Sequence, residues 1–152
     1  MQRTTFSLLI ALVALAYTPR PTAVHYYASI KGYKQGQFKA ANGTGGDGWM
    51  EIYSFSIGAS NPANTGQAPS SGKAGKVDLQ PIVINKKPDA FSSLLNISLA
   101  TNETLETVVI QTRDDQNRVT QTTVIKNARI KELKRNGNDE MISFTYEKIE
   151  KN

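Results

Sequence analysis

The reactive inventory of this 152-residue chain is one histidine, no cysteine and a scatter of carboxylates. His25 alone cannot build a multi-histidine metal site, and any Ser-His-Asp mechanism would have to rest on it. It stands beside two tyrosines, Tyr26 and Tyr27, where a packed or surface imidazole is favoured over a general base. The lack of cysteine removes thiolate zinc sites, cysteine nucleophiles, Cys-ligated clusters and disulfide-stapled scaffolds. Asp47, Glu51, Asp78, Asp89, Glu103 and Glu106 are the carboxylates from which a glycosidase pair would be drawn, but sequence does not set their separation. The glycine-rich run Asn42 to Gly48 (NGTGGDG) lacks the spacing and the Lys-Ser/Thr pair of a phosphate loop, and no helical pattern follows it. It reads as a flexible loop. Asp114-Asp115-Gln116-Asn117 lacks the glycine and terminal glutamate of a calcium loop and reads as a solvated hairpin turn. No nucleophile stands beside a base, so no catalytic, cofactor-binding or metal-binding residue is assigned and no cofactor is expected.

The elements that must position these residues follow mostly a period of two. Val24 to Lys31 alternates apolar and polar residues and predicts a strand that Gly32 ends. Lys34 to Gly48 has no sustained period and predicts a long loop. Trp49 to Ile57 (WMEIYSFSI) predicts one strand with apolar groups on both faces, which asks for a barrel or a partner surface. Asn61 to Gly75 is rich in Gly, Pro, Ser and Ala and reads as flexible. Lys76 to Lys86 returns to strand, with a break or edge at Pro81. From Pro88 to Leu99 the spacing of Phe91, Leu94, Leu95 and Leu99 predicts the one amphipathic helix. Thr104 to Thr112, Val119 to Leu133 and Met141 to Ile149 predict three further strands, joined across Arg113 to Arg118 and Arg135 to Asp139. The expected class is mainly β with a short helix at about 88–99, as two packed sheets or a compact barrel.

The balance of 18 Lys and Arg against 13 Asp and Glu gives a charge of +5. Lys86-Lys87 and Lys131 to Arg135 are too short and too interleaved with acids to form the cationic stripe of a nucleic-acid binder, and read as solvated strand ends. Sequons at Asn42, Asn96 and Asn102 matter only in a host that glycosylates exported proteins. At the N-terminus Met1 to Arg3 is a short basic region, Phe6 to Ala16 is apolar, and Ala14 and Ala16 supply small residues at its end. A signal peptide cleaved after Ala16 is favoured over an uncleaved anchor or a buried helix, since the run falls well short of the ~20 residues a membrane span needs. Residues 17–23 then form an extended tether around Pro19 and Pro21, and residues 24–152 a single domain, secreted or periplasmic, with no stable membrane insertion.

Several motifs in order carry a family resemblance. Ser29-Ile30-Lys31-Gly32-Tyr33-Lys34-Gln35-Gly36 resembles the opening K-I-x-G-I-x-G of the haemolysin-coregulated protein (Hcp) family of type VI secretion. Trp49 to Pro62 is similar to its W-I-E-V-x-S-F-S-W-G-x-S strand, and Gly75-Lys76 to the start of the strand after it. Lys86 to Leu95 resembles its K-x-x-D-x-x-S-x-x-L stretch into the single helix, and Phe144 to Ile149 its closing strand. The likeness spans about residues 25–150. Ile57 departs from it where a second tryptophan is usual, Thr101-Asn102 where a glycine commonly follows the helix, and the signal peptide where tube subunits normally have none.

The resemblance implies a compact barrel with one helix, assembling into hexameric rings that stack into a tube and carry small effectors in the lumen, with no catalytic residues. By the same analogy the segment Lys34 to Gly48 meets the neighbouring ring, and Lys34, Phe38, Asn42, Trp49, Tyr53, Phe55 and Phe91 are the expected contact residues. The chain's partners would be further copies of itself and secreted effector proteins, not nucleic acid. The alternatives are an exported binding module that kept the fold and lost the ring, with Tyr26, Tyr27 and Trp49 facing a ligand, and a small carboxylate-based hydrolase.

Overall fold

A computed structural model describes residues 23–40, 47–58 and 79–152. Nine strands and one helix follow in the order β1 (His25–Gly32), β2 (Gly36–Gln37), β3 (Trp49–Ile52), β4 (Ser54–Ile57), β5 (Ile82–Lys86), α1 (Phe91–Ala100), β6 (Leu105–Arg113), β7 (Val119–Asn136), β8 (Asp139–Thr145) and β9 (Lys148–Lys151). All the pairings are antiparallel. The predicted mainly β class with one helix is the fold observed.

Two stretches of chain belong to both sheets and close the barrel. The stretch Trp49 to Ile57 pairs with β1 through β3, then with β5 through β4. Tyr53 marks the crossing, its N–H donating to the Asn85 carbonyl at 3.0 Å. The single strand expected over Trp49 to Ile57 is therefore two, because its halves have different partners. Strand β7 does the same on the other side of the barrel: Val119 to Ala128 lies against β6, and Arg129 to Asn136 against β8. The bend falls at Asn127, which adopts φ +51°, a left-handed conformation that asparagine tolerates better than most residues. Opposite it, Tyr146 and Glu147 interrupt the expected Met141 to Ile149 strand and leave β8 and β9 as two strands in line along β7.

Other boundaries shift for local reasons. Gly36 and Gln37 fold back on Gly32 and Lys31 as a two-residue strand inside the segment expected to be loop. The strand expected from Lys76 begins at Ile82, after Pro81, while the stretch Asn61 to Gly75, expected to be flexible, lies outside the described residues. So do the expected signal peptide and most of the expected tether. Inward residues at period two fill the barrel: Ala28 and Ile30 from β1, Met50 and Ile52 from β3, Ile82 and Ile84 from β5, Val108 and Ile110 from β6, Ile125 and Ile130 from β7, Ile142 and Phe144 from β8.

The helix packs chiefly on β7 and buries Phe91, Ser92, Leu95 and Ser98. Just before its N-cap residue, Ala90, Asp89 Oδ1 accepts the Phe91 N–H at 2.9 Å while Ser92 Oγ accepts the Asp89 N–H at 3.0 Å, a reciprocal pair similar to a capping box. At its end Asn102, at φ +46°, donates to the Leu99 carbonyl at 3.2 Å and Glu103 donates to that of Ser98 at 2.9 Å. Those are the two bonds of a Schellman stop, with asparagine in the place glycine usually takes.

Candidate functional site

Both helix ends lead into a buried carboxylate. Next to the reciprocal pair of Asp89 and Ser92, Lys86 is completely buried and its Nζ faces four acceptors that share its three protons: Asp89 Oδ1 at 2.7 Å, the Lys87 carbonyl at 2.7 Å, Glu140 Oε2 at 3.1 Å and Ser92 Oγ at 3.2 Å. Ser92 Oγ donates to Glu140 Oε2 at 2.6 Å, and Arg135 reaches Glu140 Oε1 at 2.9 Å. Lys86 is thus no solvated strand end as expected; only Lys87 is exposed. At the other end of the helix no cation among the described residues pairs with Glu103. Its Oε1 accepts the backbone N–H groups of Lys34 at 2.7 Å and Gln35 at 2.8 Å, and its Oε2 accepts Gln35 Nε2 at 2.7 Å and Ser98 Oγ at 3.2 Å. Among the described residues every buried side-chain polar atom has a partner.

Burial by itself raises both carboxyls, but hydrogen bonds outweigh it. Those from Gln35, Lys34 and Ser98 hold Glu103 below the ordinary 4.5, and those from Ser92 and Lys86, with the charges of Lys86 and Arg135, hold Glu140 below it. A depressed folded value means stability that is fully present above the ordinary value and is lost as pH falls through the depressed one. The urea midpoint should therefore hold between about pH 7 and pH 5 and fall below roughly pH 4.5, with a shallower fall in a Glu103→Gln variant. A midpoint unchanged down to about pH 3 would contradict it.

The sheet formed by β2, β3, β1, β6, β7 and β9 presents a broad outer face away from the barrel core. Register sets three rows across it. Trp49, Ser29, Val109, Val124 and Glu150 form one, Glu51, Tyr27, Gln111 and Thr122 a second, and Gln37, Lys31, Thr107, Lys126 and Lys148 a third. Ion pairs border it, Lys31 with Glu106 at 2.7 Å and Lys126 with Glu150 at 3.2 Å. Arg113 lies over the Tyr27 ring at 4.5 Å and the Trp49 ring at 5.2 Å, with its Nε and Nη2 donating to Gln111 Oε1 and its Nη1 to Asn117 Oδ1.

The expected contact residues divide. Lys34 and Tyr53 are exposed, and Trp49 is half-buried on the outer face. Phe38 and Phe91 are buried in the core, and Phe55 packs edge-on to Tyr26 with centroids 5.4 Å apart, so these three rings serve the barrel's own packing. Asn42 lies outside the described residues. Tyr26, expected among ligand-facing aromatics, turns inward, while Tyr27 and Trp49 are already covered in part by Arg113.

Asp78 lies outside the described residues, and among those described the hydrolase carboxylates Asp89, Glu103, Glu106 and Glu51 are not brought together either. Asp89 and Glu103 lie beyond opposite ends of the helix, Glu106 is paired with Lys31, and Glu51 sits on the outer face. His25 is exposed, 3.9 Å from Asp115, and Asp114 closes its hairpin by accepting the N–H groups of Gln116 and Arg118 at 2.9 Å each. No group of three or more metal-binding side chains occurs among the described residues. Nor is any helix among them long and apolar enough to cross a membrane. Sequence reasoning missed Glu140, Gln35 and Arg113, and read Lys86 wrongly. Two signals were available, the capping-box spacing of Asp89-x-x-Ser92 and the alternation of Ile82, Ile84 and Lys86.

A small closed β-barrel that ties Lys86, Ser92, Ser98, Glu103 and Glu140, most of its buried polar groups, to the two ends of one helix, and presents a broad mixed face outward, defines a structural class. Known proteins narrow that class. The family described as type VI secretion system effector, Hcp, matches residues 27–152, and the chain belongs to the Hcp family of type VI secretion tube proteins. The secreted protein Hcp3 of Pseudomonas aeruginosa is 26% identical with a TM-score of 0.66, covering 84% of this chain and 88% of its own. A mutant form of Hcp1 from Escherichia coli EAEC 042 is 19% identical, with a TM-score of 0.66 and the same coverages. Hcp1 of Salmonella typhimurium, at 10% identity, has a TM-score of 0.61 and covers 84% of this chain and 85% of its own. No curated protein sequence matches the chain.

Proposed function

We propose that the chain is a non-enzymatic subunit that assembles into hexameric rings, that the rings stack into a tube, and that the lumen carries small effectors of the secretion system. The observation that carries this reading is the family match over residues 27–152 on a barrel of the same fold. The outer face supports it. Its first row is half-buried in the isolated chain and includes the apolar Trp49, Val109 and Val124, while the rows on either side are polar and charged, with Glu51, Gln37, Lys31 and Lys148 exposed, the composition of a protein interface. Contacts fall on Lys34, Trp49 and Tyr53, with Asn42 in the segment that reaches the next ring. Phe38, Phe55 and Phe91 act from beneath by shaping the surface above them. Export by the N-terminal signal, with cleavage after Ala16, would place the rings in the periplasm or outside the cell.

The test is the absolute mass of residues 17–152 by light scattering in line with size exclusion, with the same peak imaged by negative-stain microscopy. A hexamer-sized peak containing rings is expected, and a monomer across a wide concentration range would sink the proposal. Trp49→Ala and Tyr53→Ala should each shift that peak toward monomer. The melting temperature of the monomer should move by no more than about 5 °C, since neither side chain is fully buried.

A further inference from the structure

We infer that Glu103 is the anchor that fixes the pose of the segment leading out of β1, and that this pose decides whether one ring can meet the next. The second half rests on the stacked-ring reading above. The turn Tyr33 to Gln35 directs two consecutive backbone N–H groups, of Lys34 and Gln35, at the same oxygen of Glu103. Successive N–H groups converging in this way form a concave anion nest. Gln35 Nε2 and Ser98 Oγ complete it around the second oxygen, and Gln35 Nε2 also bonds Ser98 Oγ at 2.7 Å and the Leu94 carbonyl at 3.3 Å. The site is built for an anion, and the anion is the chain's own carboxylate. That carboxylate is an extension of the helix, because the Glu103 N–H closes the Schellman stop on Ser98.

The other ties lie to either side of Lys34 and Gln35: Tyr33 N–H to the Thr104 carbonyl and Tyr33 Oη to Asn127 Oδ1 before them, and after them the two-residue strand β2, Gln37 Nε2 to Ser29 Oγ and the Ile30 carbonyl, Phe38 N–H to the Ile30 carbonyl, and the buried Phe38 ring. A strand pairing as short as that of β2 is not stable by itself. Without the carboxylate, the Lys34 and Gln35 N–H groups would be left in a partly buried turn with no acceptor, and the turn would open to water instead. The root of the 34–48 segment would then have several poses rather than one, and exposed Lys34 would move with it. The helix, which packs on β7, would keep its own contacts. Glu103 thus links the helix to the segment assigned to the neighbouring ring, and acts as a positioning residue.

Amide exchange read residue by residue in the whole chain, wild type against Glu103→Gln and Glu103→Ala, separates the two halves. The Lys34 and Gln35 amides should exchange at least about tenfold faster in both variants, while those of Ile110 and Ile125 in the barrel change less. Formate at tens of millimolar should slow them again in Glu103→Ala by refilling the nest, whereas chloride at equal ionic strength should not. Unchanged exchange at Lys34 and Gln35, or acceleration that formate leaves untouched, would overturn the anchoring role. Should Glu103→Ala fail to fold, Gln35→Ala removes the side-chain half alone and should accelerate the Lys34 amide by a smaller factor; no acceleration would again overturn it. In microscopy the variants should form rings but not stacks. Stacks as long as wild type would overturn the stacking half, and a wild-type chain without rings would overturn the tube reading while leaving the exchange result to stand by itself.

Discussion

Replacing Lys86 with methionine is expected to destabilise the barrel by about 3–5 kcal/mol, the range for removing one partner of a buried ion pair. Methionine is close in volume and leaves no large cavity, so the loss reports the charge and not the packing. Lys86 brings together Asp89, Ser92, Glu140 and the Lys87 carbonyl, and without it Glu140 keeps only the Ser92 hydroxyl and the guanidinium of Arg135, which is more than half exposed. That remaining pair should place the result toward the lower end of the range. At this chain length the melting temperature would fall by roughly 10 °C or more. Urea unfolding measures it, and the informative control is the double variant Lys86→Met/Glu140→Leu. If the single change acts by stranding a buried carboxylate, removing that carboxylate too should restore much of the loss. A single-variant cost under about 1 kcal/mol would mean that the pair is not closed to water.

Lys86 also shows where sequence reasoning reaches its limit. In the strand Ile82 to Lys86 the inward positions are Ile82, Ile84 and Lys86, so strict alternation itself points the lysine into the barrel. What concealed this was residue type: a lysine beside a second lysine and a proline has the appearance of a strand end. Its counter-charge, Glu140, lies 54 residues away in sequence, across a register that only the folded sheet sets. The strands and the helix were legible because their patterns are local: period two in β1, β6 and β8, and helical spacing through Phe91 and Leu95. The division of Trp49 to Ile57 was not, since a strand that changes partners halfway keeps the same alternation throughout. The outer face was half legible. Trp49 was singled out for its type, but its neighbours Val109 and Val124 and its cation Arg113 come from strands far along the chain.

The two carboxylate clusters divide one task. The helix connects β5 to β6 and packs mainly on β7, and a helix of 10 residues has little stability of its own. The Lys86 cluster fixes its start to β5 and β8, and Glu103 fixes its end to the turn after β1. Hydrogen bonds of defined geometry orient such an element more tightly than apolar contact alone, and each end is also shielded from water, which strengthens those bonds. The helix is therefore the part through which the sheet that pairs with β8 is tied to the turn that leaves β1. If the outer face and the 34–48 segment make different contacts in a ring assembly, it holds the two in a fixed relation.

Gly32→Ala tests that relation from the opposite side, because it leaves every partner of Glu103 in place and removes only the space the carboxylate occupies. A Cβ at this position would overlap Glu103 Oε1 and lie 2.9 Å from its Cδ and 3.4 Å from Phe38 Cε1. The first two approaches are impossible without movement. Glu103 cannot simply swing away, since its oxygens are held by four donors and its side chain is buried. Either β1 shifts at its end, where the register with β6 is already irregular between Lys31 and Gly32, or the carboxylate leaves the nest. The first outcome is overpacking, at about 1–3 kcal/mol, and the second strands the Lys34 and Gln35 N–H groups at a similar cost. The expected loss is about 2–3 kcal/mol by urea unfolding, and amide exchange tells which outcome occurs. Fast exchange confined to Lys34 and Gln35 means that the carboxylate has left. Fast exchange spread over Ile30 to Gly32 means that the strand end has moved. A variant as stable as wild type, with both amides still protected, would show that the turn can yield around a methyl group, and that Gly32 is not required by the close approach of Glu103.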